Sequence, residues 1–203
     1  FTVFVLVYGN EHLGVKKSTV LWGVVIAALL GLVTIPCYGA LSDRVGRRPL
    51  YLGGAVIGLL FSFPFFWLLN TKTAVLIWLA VVLGVNVAHD LMYGPQAAYF
   101  AELFGTRVRY SGASLGYQLA SVFAGGFAPL VAAWLLKQSG YQAVALYMAL
   151  MSAVTIVATL LASETFRDDI AADDEREREL LEEDARTAVD RPPAGPRPGR
   201  ATG

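Results

Sequence analysis

The feature that most limits what this chain can fold into is a succession of five apolar runs: approximately Val20–Leu41, Leu50–Leu69, Ala74–Ala98, Ala113–Leu136 and Ala143–Ala162. As a helix, each crosses about 30 Å of hydrocarbon at about 1.5 Å per residue. Hydrocarbon offers no partner to a peptide N–H or C=O, so a lone apolar segment must bond to itself. These runs are therefore expected to be helices and not strands. The connections Ser42–Pro49, Asn70–Thr73, Tyr99–Gly112 and Lys137–Gln142 are short, which makes consecutive helices run up and down. Phe1–Tyr8 is apolar but too short to cross. It lacks the charged start and cleavage site of a secretory signal, and it reads as the outer end of a truncated helix.

Charge separates the chain into two regions. Net charge is zero, yet eleven of the 16 acidic and seven of the 16 basic side chains lie from Arg167 onward. Residues 1–166 are thus expected to form a transmembrane helical bundle, because so apolar a stretch cannot build a continuous polar surface. Residues 167–203 are expected to be a charged, partly disordered tail with an exposed helix around Glu175–Ala188. Arg44, Arg47, Arg48, Arg107 and Arg109 fall on one side of the bundle with the tail; Lys16, Lys17, Lys72 and Lys137 fall on the other. The arginine side is the expected cytoplasmic side, with the C-terminus there. Trp22, Trp67, Trp78 and Trp134 sit near the opposite ends of their spans, as an interfacial belt does. The single cysteine, Cys37, excludes an internal disulfide and any multi-cysteine metal site. The few basic residues, set between apolar runs, give no nucleic-acid footprint. Gly54/Gly58, Gly112/Gly116 and Ser121/Gly125 are spaced for close helix contacts, and Pro36, Pro64, Pro95 and Pro129 lie inside spans.

The third span carries the chemistry. Asn86, His89, Asp90, Tyr93 and Gln96 fall within about 120° of arc on an ideal helix. An ionisable group near the midplane is costly unless it faces a cavity or a partner. Imidazole titrates near neutral pH, and a desolvated carboxylate takes up a proton more readily. His89 and Asp90 are therefore the expected proton-coupling groups, and Asn86, Tyr93 and Gln96 the expected substrate contacts. A buried polar packing patch is the plainer alternative. Because neighbouring helix positions point about 100° apart, His89 and Asp90 need not pair. Ser114, Gln118 and Ser121 share a face of the fourth span that can line the same cavity. Gln118 is the strongest of them, since serines often bond their own helix backbone. Thr34 and Tyr38 are weaker candidates in the first span. No metal-ligand spacing or activated nucleophile is visible, so no enzyme activity, metal or cofactor is expected.

The loop Gly39-Ala-Leu-Ser-Asp43-Arg44-Val-Gly46-Arg47-Arg48-Pro49 is more than a positive anchor. Gly46 permits an unusual backbone angle, and Pro49 suits the first position of the next helix. This segment resembles the loop motif of the major facilitator superfamily. The stretch Met92–Gln118, with Gly94-Pro95-Gln96, Glu102-Leu103-Phe104-Gly105-Thr106-Arg107 and Gly112-Ala-Ser-Leu-Gly116, resembles that superfamily's metabolite:proton symporters, the shikimate-type carriers most closely. The likeness covers nearly all of Phe1–Phe166. It implies the C-terminal six-helix half of the fold, with spans corresponding to helices eight to twelve and the N-terminal half absent. It also implies a secondary active transporter in the cytoplasmic membrane, which couples protons to a small carboxylate or zwitterion such as shikimate, 2-oxoglutarate or betaine. The partners would be that metabolite, protons, the lipid bilayer and the absent half. A non-transporting sensor or scaffold of the same fold is the alternative. The resemblance further implies a cytoplasmic gate, with Arg47 or Arg48 pairing to Glu102 and Glu164, and Asp43 to Arg107 or Arg109. Arg44 and Gly46 belong to the same loop. The tail lacks the long coiled coil of the osmosensing proline/betaine carriers.

Overall fold

The computed structural model describes residues 2–103, 109–162 and 179–180. The chain divides into two units, Phe1–Arg167 and Asp168–Gly203. In the second, the described residues Glu179 and Leu180 are helical. The expected tail helix around Glu175–Ala188 otherwise lies outside the described residues.

The first unit begins with α1 (Thr2–Val7), which runs into a π-helical turn, Tyr8–His12. Then come α2 (Lys17–Val45) and α3 (Arg47–Asn70). The third long helix is α4 (Ala74–Val82), a π segment Leu83–His89, and α5 (Asp90–Glu102). The fourth is α6 (Arg109–Ser121), a π segment Val122–Phe127, and α7 (Ala128–Ser139). Helix α8 (Tyr141–Leu161) follows. By length and composition, five helices can cross a membrane: Lys17–Val45, Arg47–Asn70, Ala74–Glu102, Tyr110–Ser139 and Tyr141–Leu161. They run several residues past the apolar runs at most ends, because a helix keeps its hydrogen bonds until a residue stops it.

Glycine supplies two of those stops. Gly46 at φ 107° ends α2 and starts α3, and Gly140 at φ 75° separates α7 from α8. Both angles lie where a side chain would be strained. Pro49 is the third residue of α3 and not the first. This position is tolerated because the first turn's N–H groups have no acceptor within the helix.

Helix α3 packs on α8 and α5, and α2 packs on α4 and α5. One end of the bundle is closed by rings: Phe65 and Phe66 meet edge to face at 5.3 Å, and Tyr8 meets Phe66 at 5.4 Å. Tyr8 also donates to Asn70 Oδ1 at 2.8 Å, which ties the turn after α1 to the end of α3. Trp22, Trp67 and Trp134 are exposed, whereas the Trp78 indole donates to Thr19 O at 2.8 Å.

The closest backbone approaches are at two glycines. A methyl group on Gly94 would stand 2.9 Å from both Gly39 N and Ile35 O, so α5 crosses α2 nearly in backbone contact. One on Gly54 would stand 2.9 Å from Ala88 O and 2.6 Å from Met92 Cγ, where α3 presses on the third helix. The expected tight contact at Gly116 is not made among the described residues: none of them lies within 4 Å of an added methyl there. The physical reason is that α6 meets only α5 and its own π segment among the elements it touches substantially.

Candidate functional site

A buried polar cluster forms where the third long helix changes its winding. The segment Leu83–His89 is π-helical, and Asp90 N–H closes it by bonding to Val85 O, five residues back. Such wide turns re-aim side chains and often mark functional sites. Here the turn and the Gly94–Gly39 crossing bring α2 against Asp90.

Asp90 is the hub, its side chain only 2% exposed. The Thr34 hydroxyl donates to Asp90 Oδ2 at 2.5 Å, and Asn86 Nδ2 donates to the same oxygen at 2.9 Å. Asn86 Nδ2 also reaches Ala27 O at 2.9 Å and, more distantly, Thr34 Oγ1 at 3.3 Å. On the other side, His89 Nδ1 lies 3.1 Å from Asp90 Oδ1. His89 and Asp90 therefore do touch, although adjacent positions on an ideal helix diverge. The His89 side chain is 56% exposed and stacks on Tyr93, with ring centroids 5.2 Å apart. Burying a carboxylate is costly unless donors compensate it. Thr34 and Asn86 supply two such donors, and the His89 ring supplies a third when Nδ1 carries a proton. Asn86 Oδ1 is buried without a hydrogen-bond partner among the described residues.

The other expected contacts do not all converge. Tyr93 is exposed beside His89, and Gln96 is half-buried further along α5. Gln118 is exposed on α6, with Ser114 and Ser121 also exposed; the Ser121 hydroxyl bonds its own helix at Gln118 O, 2.8 Å away. Asn86 is buried and commits its amide protons to Ala27 and Asp90, so it holds the carboxylate and does not face a cavity. Thr34, a weak candidate in the sequence, makes the shortest contact of the cluster. A separate half-open cavity of about 590 Å³ lies between α1, α8 and the helix through α7. Its walls are mostly apolar, including Phe4, Phe123, Met148 and Met151, and it shares no lining residue with the Asp90 cluster.

The end of the bundle that carries the Gly46 turn holds a second polar group. Arg47 Nε stands 2.7 Å from Glu102 Oε1, and Arg47 Nη1 stands 3.2 Å from Asp43 Oδ1. The Nε hydrogen is not aligned on the Glu102 oxygen, so that contact is ionic and not an in-line hydrogen bond. Arg48 Nε donates to Thr159 O at 3.0 Å and its Nη2 to Leu160 O at 2.5 Å. These are last-turn carbonyls of α8, which have no partner within the helix. Arg44 is exposed in the last turn of α2. Arg107, Glu164 and the Arg109 side chain lie outside the described residues, so the expected pairings to them have no geometry. Among the described residues, Asp43 pairs with Arg47, one helical turn along the same stretch.

A bundle of membrane-length helices with a hydrogen-bonded carboxylate buried in it defines the class: a multi-pass α-helical membrane protein with an ionisable group inside its spans. More particularly, the chain belongs to the Major Facilitator Superfamily, whose family model matches residues 1–195, and its bundle is one half of that fold. It is 36% identical over 168 residues to the Shikimate transporter of Escherichia coli (strain K12), covering 82% of this chain and 38% of the relative. It is 38% identical over 154 residues to the Inner membrane metabolite transport protein YhjE of the same strain, covering 75% of this chain and 35% of the relative. It is 29% identical over 142 residues to the Citrate-proton symporter of Klebsiella pneumoniae, covering 70% and 32%. The chain thus spans about a third of the length of these curated relatives. No solved structure matches it.

Proposed function

We propose that this chain works as the C-terminal half of a proton-coupled symporter for a small carboxylate or zwitterion. The observation that carries the reading is Asp90: an acid sealed inside the bundle, held by donors on one oxygen and touching an exposed histidine with the other. A group that alternates between carboxylate and acid at that place is what proton coupling needs. Relatives named for shikimate, for citrate with protons, and for proline and betaine support the substrate class. In this reading Tyr93, Gln96 and Gln118 face a cavity completed by an N-terminal half. Halves of this kind rock about a midplane site to expose it to each side in turn. Arg47, Asp43 and Glu102 close the cytoplasmic end, and the protein lies in the cytoplasmic membrane with its C-terminus inside.

The test is uptake by proteoliposomes holding the full-length transporter. Labelled shikimate, citrate, proline and betaine are offered with and without an inward proton gradient. Accumulation of one of them that a protonophore abolishes supports the reading. Accumulation indifferent to the gradient contradicts it.

A further inference from the structure

The two oxygens of Asp90 have different surroundings. Oδ2 is closed: it accepts from the Thr34 hydroxyl of α2 and from Asn86 of its own helix. Beside it Gly31 presents no side chain, and even an added methyl there would come no nearer than 3.7 Å to Oδ2. Oδ1 meets His89 Nδ1, on a ring that is more than half exposed. Among the described residues, His89 is the one titratable group in contact with Asp90, and Tyr93 stacks behind it. Helix α3 presses on this region through Gly53 and Gly54, against Leu91, Met92 and the Ala88 carbonyl, and brings no charge. Helix α2 brings Thr34 and the Ala27 carbonyl; its own ionisable neighbour, Tyr38, faces Gly94.

We infer that Thr34 is the positioning residue of the proton site: its hydroxyl holds Asp90 Oδ2, so that the exchangeable proton goes on and off at Oδ1 by way of His89. This rests on the proposed proton-coupling role of Asp90. The pair takes up one proton from solvent and passes it from the ring to the carboxylate. With Asp90 ionised, the neutral ring carries its hydrogen on Nδ1, facing Oδ1. A hydronium ion on the exposed side gives its proton to Nε2 and leaves as water. The Nδ1–H bond then breaks as an Oδ1–H bond forms, which leaves a neutral ring with its hydrogen on Nε2 and a neutral acid donating to Nδ1. Release runs the same path backwards. Throughout, Oδ2 keeps its bond from Thr34, so the carboxyl stays fixed to α2 while its charge changes. Without that bond, Oδ2 can take the proton too, on the buried side of the carboxyl.

The device predicts a chemical signature that packing alone would not give. A donor to a carboxylate favours its charged form. Thr34→Val keeps shape and removes the donor, so the acid form should persist to higher pH. Thr34→Ser restores a hydroxyl. The measurement is infrared difference spectroscopy of the full-length transporter in liposomes, following the carboxylic-acid C=O band that Asp90→Asn abolishes. The expected result is a midpoint moved to higher pH in Thr34→Val than in the parent, with an altered band position and with the parental behaviour restored in Thr34→Ser. A parental midpoint and band in Thr34→Val, with the band still lost in Asp90→Asn, would overturn the role of Thr34 while leaving Asp90 as the proton group. No band assignable to Asp90 at any pH would instead remove the proton role of Asp90, and the inference with it.

Discussion

Arg47 and Glu102 stand 2.7 Å apart and join the first residue of α3 to the last residue of α5, with only 18% and 12% of their side chains exposed. Asp43 reaches the same guanidinium from the end of α2. Three helices are thus fastened at one end, about 18 Å along the helix from Asp90 at about 1.5 Å per residue. In the proposed transporter, a fastening so placed would govern switching and not substrate contact.

Glu102→Gln keeps the shape of the side chain and removes its charge. Removing one member of a largely buried pair is costly, and among the described residues Arg47 then keeps only the contact with the exposed Asp43, so the cost is about 1–3 kcal/mol. If that loss falls on one closed state, transport in the full-length protein slows by roughly tenfold or more, since about 1.4 kcal/mol is a factor of ten. Equilibrium substrate affinity should stay within about twofold. A large loss of affinity at a parental exchange rate would contradict the latch.

The glycine contacts predict opposite outcomes for the same substitution. Gly94→Ala places a methyl 2.9 Å from the backbone of α2, which has no side chain to move aside. Overpacking of this kind costs about 1–3 kcal/mol. Among the described residues Gly116→Ala meets nothing within 4 Å, and, inside α6, it should not destabilise the chain but raise its stability by about 0.5–1 kcal/mol. Thermal unfolding of both variants in detergent reads the difference. Equal midpoints would mean that α2 and α5 do not cross as described. Because Gly94 sets the crossing that presents Thr34 to Asp90, Gly94→Ala should also disturb proton coupling.

Sidedness can be read by thiol labelling in the full-length protein, with Cys37 replaced. Ser42 is buried and bonds to Gly39 O at 2.6 Å, so a reporter belongs at Arg44, which is exposed one turn before α3. Arg44→Cys should react only from the cytoplasmic side and Ser139→Cys only from the outside. Labelling of both from one side would refute the arrangement.

Much of the architecture could be read from residue order alone, because hydrocarbon allows so few solutions. Across a bilayer a run of about 20 apolar residues is a helix, and the glycine at position 46 marked the turn. The site was only partly legible. Asn86 and Asp90 are one turn apart in sequence, and their contact follows from that spacing. The π winding at Leu83–His89 leaves no residue pattern, so the phase drawn on an ideal helix failed to show His89 against Asp90. Thr34 was weakly marked because its bond to Asp90 depends on how α2 is rotated against α5. That rotation is fixed by a backbone crossing at Gly39 and Gly94 which sequence spacing does not encode. Gln118 shared a plausible face, yet its helix has few neighbours within this chain to turn that face toward the cluster.

If Asp90 carries the coupled proton, Asp90→Asn isolates that role, because it keeps the shape of the side chain and removes its titration. The measurement compares two activities of the full-length transporter in proteoliposomes: accumulation of substrate driven by a pH gradient, and exchange of labelled for unlabelled substrate without one. Asp90→Asn is predicted to abolish the first, with at least a tenfold loss of accumulation, and to leave exchange within a few-fold of the parent. Correctly inserted Asp90→Asn protein that still accumulates substrate with an unchanged pH dependence would contradict the account.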